Sequence, residues 1–223
     1  MRNRLFLLFT LLAALIARSA ELRAPAPKPN LDRDSAGRVS LMVGRILAAM
    51  HYKQAPLNDG ISAAFLTNYL DTLDYNHLIF LQTDVDQLQK KHGTSLDDSI
   101  RRSDARPAFE IFELYLTRLG QRHELAQKLL QEKFDFTTDE TILRQRNKAP
   151  WPKDETEAEQ LWRARVKLEL LQEKLAKTKR ATNSTNQVKS AAETARKSEP
   201  DDPAKTIKRR YDRLLRSMKD SDE

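Results

Sequence analysis

The stretch ARPAFEIFELYLTRLGQRHELAQKLLQE, residues 105–132, decides the fold. Phe109, Phe112, Leu116, Leu119, Ala126 and Leu130 return at three- and four-residue steps, the spacing of a helix face. Ile111, Leu114 and Tyr115 widen that face, so the helix is expected to be buried on most sides. Pro107 sits in its first turn, where a missing N–H costs little. A helix of this kind needs apolar partners, and the flanking sequence supplies them as more helices.

Upstream, Asp34 and Ser35 are candidate caps for a helix with the stripe Val39, Val43, Ile46, Leu47 and Met50. Asn58 or Asp59 caps a second, carrying Ile61, Phe65, Leu66, Tyr69, Leu70 and Leu73. Thr83 opens a third with Val85 and Leu88 inward, and Ser95 a short fourth around Leu96 and Ile100. Downstream, Phe134-Asp135-Phe136 breaks the period, Thr138 or Asp139 could cap a short helix, and Ala149-Pro150-Trp151-Pro152 reads as a rigid corner. Asp154 then caps a long helix whose seam is read as Leu161, Ala164, Leu168, Leu171 and Leu175, broadened by Trp162, Val166 and Leu170. The expected fold is all-α, an irregular multi-helix bundle.

Residues 177–203 carry one large aliphatic side chain, Val188, and no aromatic ring. They are expected to form a low-complexity linker, because they cannot bury enough apolar surface to offset their ordering entropy. A last amphipathic helix, 204–218, carries Ile207, Tyr211, Leu214 and Met218 on one face and is expected to need a further domain to pack on.

The first 20 residues have a different character. Arg2 and Arg4 precede an unbroken apolar run from Leu5 to Ala17, 13 residues long. That is short of the roughly 20 residues that span a bilayer as a helix. Small residues follow, so the segment reads as a signal peptide cleaved near Ser19 or Ala20 rather than as a retained anchor. Residues 21–34 then read as an extended lead-in. Export without a single cysteine suits a bacterial periplasm better than a disulfide-stapled extracellular module, and no stable membrane span is expected after cleavage.

Charge narrows the partners. Residues 174–223 hold 14 Lys+Arg and 8 Asp+Glu, while residues 1–173 hold 25 and 24, so the net charge of +7 is a C-terminal property. No aromatic residue lies between Trp162 and Tyr211, which leaves no platform for stacked bases, and nucleic acid is not an expected partner.

The chemistry-bearing patterns fail one by one. His51, His77, His92 and His123 have no metal-binding helical spacing and read as surface or structural residues. Asp84-Val85-Asp86 starts like a calcium loop, but Leu88, Gln89 and Ser95 stand where a ligand, a glycine and a glutamate belong. No nucleophile elbow and no S-x-x-K sequence is present. The pairs Asp97-Asp98 and Asp201-Asp202 fit capping and solvation. Asn183-Ser184-Thr185 matches a glycosylation acceptor that a periplasm would leave unused. No catalytic, cofactor-binding or metal-binding residue is assigned, and no cofactor is expected.

Four stretches carry more information than composition does. They are LDTLDYNHLIFLQTDVDQL (70–88), AFEIFELYLTRL (108–119), FDFTTDE (134–140) and KAPWPKDETEAEQLWRARVKLELL (148–171). In this order and spacing they resemble the helical N-terminal domain of the tail-specific, or carboxy-terminal processing, proteases, over about residues 35–176 and more loosely 204–218. The resemblance implies a periplasmic serine endopeptidase in which a helical domain precedes a PDZ domain and a later domain bears a Ser-Lys dyad. The 223 residues reach neither of those, so no catalytic residue carries over. The implied role is a non-catalytic scaffold that helps frame substrate, whether as a fragment or a truncated product. Its partners would be the downstream PDZ and protease domains, and protein substrates or a periplasmic adaptor. The alternative is a stand-alone exported helical binding or adaptor protein.

Overall fold

The computed structural model describes residues 32–52, 56–186 and 202–220, with side chains of 180–186 excepted. The expected signal peptide, most of the lead-in and residues 187–201 of the expected linker lie outside the described residues. Among the described residues seven helices follow in order: α1 Arg33–Met50, α2 Asp59–Leu73, α3 Gln82–His92, α4 Leu96–Arg101, α5 Arg106–Leu129, α6 Glu155–Asn186 and α7 Pro203–Lys219. Among the described residues there is no strand, so the fold is all-α. No helix of the described residues is long and apolar enough to cross a membrane.

The caps follow from short polar side chains meeting free helix N–H groups. Asn58 caps α2 through the Ile61 N–H at 3.0 Å, and Asp154 accepts from the Glu157 N–H at 2.8 Å at the start of α6. For α1 the cap is Asp32, accepting from the Ser35 N–H at 2.6 Å, two residues before the expected Asp34. No helix forms after Thr138 or Asp139, because Asp135 takes the Thr137 N–H at 2.9 Å and closes a local turn instead. The first ten residues of the stretch read as linker, 177–186, continue α6.

The core lies where α5 meets α6, α7, the α2 C-terminus and the segment 78–81. The helix at 105–132 is central as expected, but its fully buried ladder is Ile111, Tyr115, Leu119, Arg122, Ala126 and Leu129. Phe112 is only partly buried. In α6 the buried ladder is Ala158, Trp162, Val166 and Leu170, at steps of four, while Leu171 and Leu175 of the expected seam are exposed. The correction has a simple cause. Two neighbouring apolar rows run along α6, and the row carrying the bulky Trp162 fills the space against α5. The Trp162 indole also stacks obliquely on Tyr211 and donates Nε1–H to the Leu78 carbonyl at 2.8 Å.

The last helix needs no further domain to pack on. Ile207 is fully buried and Tyr211 nearly so, against α5 and α6. Polar pairs fasten it: His123 Nε2 meets Asp212 Oδ1 at 2.7 Å, and Arg210 donates to Glu173 at 2.6 Å.

Candidate docking surface

The singled-out stretches 70–88 and 148–171 come together as a clasp. Asp74, the C-cap of α2, is buried and accepts from the backbone N–H groups of Leu78, Ile79 and Phe80 at 2.9, 2.8 and 3.1 Å. Its Oδ2 also accepts from Trp151 Nε1–H at 3.1 Å. The Trp151 ring lies flat on His77 with centroids 3.7 Å apart. His77, held at φ 51°, places Nδ1 2.6 Å from the Ala149 carbonyl and Nε2 3.1 Å from Asp71. Finally, the Gln82 N–H donates to the Pro152 carbonyl at 2.8 Å. A carboxylate taking four N–H groups replaces the water that a bent, buried backbone would otherwise need. These residues hold a corner together.

A second knot ties α3, α5 and the start of α6. Arg118 grips Asp84 with two parallel hydrogen bonds of 2.8 Å and reaches Glu155 at 2.9 Å. Arg122, 2% exposed, donates to Glu155 and to the Ile79 carbonyl at 3.2 Å. The Asp84 carboxylate beside Arg118 raises that guanidinium further above its ordinary value. Sequence reading missed this knot, although Arg122 standing in an apolar register between Leu119 and Ala126 is the sign of a paired buried cation.

The four histidines lie on separate elements. His77 belongs to the clasp. His92 is buried 3.3 Å from Glu110, His123 pairs with Asp212, and His51 stacks on Tyr52. Among the described residues no group of three His, Asp or Glu side chains is placed to hold a metal. The histidine of α5 holds the Asp212 carboxyl below its ordinary range through their hydrogen bond.

What remains open is the other end of the domain. The α1 stripe expected to be core is outward: Val39, Met42, Val43, Ile46 and Leu47 are 47–62% exposed, and Met50 79%. The buried residues of α1 are instead Gly37 and Gly44, seven apart on the flank beside that stripe. A Cβ at Gly37 would overlap the Ser103 carbonyl oxygen, and one at Gly44 would stand 3.0 Å from the Ile100 side chain. The glycines let α1 lie directly on the α4 turn and leave its large side chains unused. Together with Leu57, Ile61 and Phe65 they wall an apolar groove of about 370 Å³ whose floor includes Leu96, Ile100 and Ala108.

One charged residue, Asp104, lines this groove, and a buried polar link through Asp97 lies nearby in α4. Asp97 Oδ1 accepts from the Ser62 hydroxyl at 2.6 Å and Oδ2 meets Arg101 at 2.9 Å; the Ser62 hydroxyl holds its carboxyl below the usual range. Asp104 is held at about 2 by the Arg106 guanidinium, 2.7 Å away. The arrangement is an apolar surface with one fixed charge, Asp104, at its edge.

Residues 42–223 match the family described as "Tail specific protease N-terminal domain", and the chain belongs to that family. It is also 36% identical over 129 residues to the protein named "Tail-specific protease" of Haemophilus influenzae. The matched stretch is 58% of this chain and 19% of that protein, so the chain spans about a fifth of the relative it matches. The match is to the N-terminal, non-catalytic domain of these proteins, and the 42–223 stretch includes no PDZ or protease domain.

Proposed function

We propose that this chain is the non-catalytic N-terminal scaffold and substrate-framing module of a periplasmic tail-specific serine protease. Its body is residues 35–176 together with the 204–218 helix, and its α1 groove seats against the PDZ and protease portion of such an enzyme. The observation that carries the reading is the outward α1 stripe. The core of the described domain is complete without it, so that apolar surface is available to something larger. About four fifths of the relative's length lies beyond the matched stretch, which supplies an occupant of the right kind. Export rests on residues 1–20, with Arg2, Arg4 and the run Leu5 to Ala17 as its signal.

The test supplies a PDZ-protease portion of a family member in trans. The two pieces are expected to associate, with all peptide cleavage arising from the supplied part. Val43→Glu and Leu47→Glu, both on exposed positions that fold without strain, should abolish association. Association that is indifferent to both substitutions would overturn the groove assignment. No association at all would favour the stand-alone binding protein. N-terminal sequencing of chain recovered from the periplasm should begin after Ser19 or Ala20.

A further inference from the structure

The helix α7 has a second face. Its 17 residues hold seven Lys and Arg side chains against one carboxylate, Asp212. At about 100° per residue, Lys205, Arg209, Arg213 and Arg216 fall within a sector of about 80° and span about 16 Å along the axis. All four are exposed, on the side of the helix opposite the buried Ile207 and Tyr211. Asp212 is taken by His123 at 2.7 Å and by Lys208 at 3.2 Å. Among the described residues no carboxylate stands within ion-pair distance of Lys205, Arg213 or Arg216.

This row works against the helix that carries it. Lys205 sits in the first turn, where a cation opposes the helix dipole. Lys205 and Arg209, like Arg209 and Arg213, are equal charges four residues apart, a spacing at which they repel. The helix is seated on α5 and α6 by residues outside the row: Ile207, Tyr211, Asp212 and Arg210. An opposing row of carboxylates would turn the repulsion into attraction.

Three features choose the partner. Steps of four, four and three residues are the steps of carboxylates along one face of another α-helix. Three of the four cations are arginines, whose planar fork takes a carboxylate in two parallel hydrogen bonds. The row holds no apolar or aromatic side chain to enter a bilayer or stack on a base. The exposed Asp220 at its end also opposes a uniformly anionic surface.

We propose that the outward face of α7 docks an acidic α-helix of another protein, one that presents Asp or Glu every three to four residues over about three turns. Exposed ion pairs are individually weak and screened by salt, so the row captures and orients its partner rather than holding it fast. No residue of the α1 groove takes part, and the inference stands apart from the seating proposed for that groove.

The test uses the full chain, labelled with nitrogen-15, and an alanine-based peptide of about 18 residues with four glutamates at those same steps, stapled helical on its opposite face. Saturable shifts are expected at residues 203–219, with affinity falling at least about tenfold between about 50 and 300 mM salt. Lys205→Glu and Arg213→Glu should each weaken the peptide at least about fivefold with an unchanged melting temperature. Lys90→Glu, an exposed change on α3, should weaken it by less than about twofold. A peptide of the same composition with its glutamates adjacent, a single-stranded oligonucleotide and vesicles of anionic phospholipid are compared at equal negative charge. Each is expected to bind at least about fivefold more weakly. Equal binding by the adjacent-glutamate peptide would reduce the row to general charge attraction, and tighter binding by oligonucleotide or vesicles would assign it to that partner. Either result overturns the proposal, as would equal weakening by Lys90→Glu and Arg213→Glu, or no saturable shifts on α7.

Discussion

The two ends of α5 are built from similar residues and put to opposite use. At its C-terminal half, α6 and α7 bury Trp162, Val166, Ile207 and Tyr211, and ion pairs such as His123–Asp212 fasten the seam. At its N-terminal end, about 36 Å away along this 24-residue helix, α1 carries as many large apolar side chains and buries none of them. The difference is what each helix turns toward the body. A helix that presents Trp and Val gains stability in proportion to the apolar area it removes from water. A helix that presents two glycines gains close backbone approach and leaves its own stripe free. The first arrangement builds a core, and the second builds a surface.

Trp162→Ala should break this contrast most severely, removing a 3%-exposed indole and its hydrogen bond to Leu78. The expected loss is about 3–5 kcal/mol of unfolding free energy, read by denaturant titration. A loss below about 1 kcal/mol would mean that the α6–α7 end is not the core.

Gly37→Ala tests the open end. The added methyl must displace the Ser103 backbone, so α1 should swing off the α4 turn at a cost of about 1–3 kcal/mol. Amide exchange should quicken across 33–50 while 155–175 keeps its protection. Uniform loss of protection would show that the two ends unfold as one unit.

Acid sharpens the comparison further. The Asp104 carboxyl, ordinarily near 3.8, is held at about 2 by Arg106, and that of Asp97 is lowered by Ser62. Both are depressed in the folded state, so their contribution is fully present above about pH 4 and lost as pH falls toward 2. Circular dichroism and exchange measured over that window should show the Ser62–Asp97–Arg101 link around α4 weakening. An unchanged α4 at pH 2 would contradict the assignment.

The smallest effect is expected at Val43→Ser on the exposed stripe, within about 0.5 kcal/mol. Val166→Ala, a fully buried counterpart, should cost about 2 kcal/mol or less. Equal costs at the two valines would show that the α1 stripe is covered after all.

Much of this was legible in the amino-acid order. The Phe109–Leu130 period placed the central helix, Asn58 and Asp154 announced their caps, and the 70–88 and 148–171 stretches pointed to the family that residues 42–223 match. The candidate site was legible only as a mistake: Val39, Val43 and Leu47 read as core because their spacing is that of a core stripe. The glycines on the flank beside that stripe were the available signal, since seven residues apart they mark a side that can approach another backbone closely.

The sequence by itself determined most helix starts and the length of their apolar rows, because caps and periodicity are local properties, and the ordered stretches at 70–88, 108–119, 134–140 and 148–171 carried the resemblance to the family. Only the tertiary structure decided which of two adjacent rows on α6 is buried, that α7 completes the core, and that α1 turns its glycines inward. Those choices depend on which surface a neighbouring element offers and how much area each pairing removes from water. No stretch of chain carries that information alone.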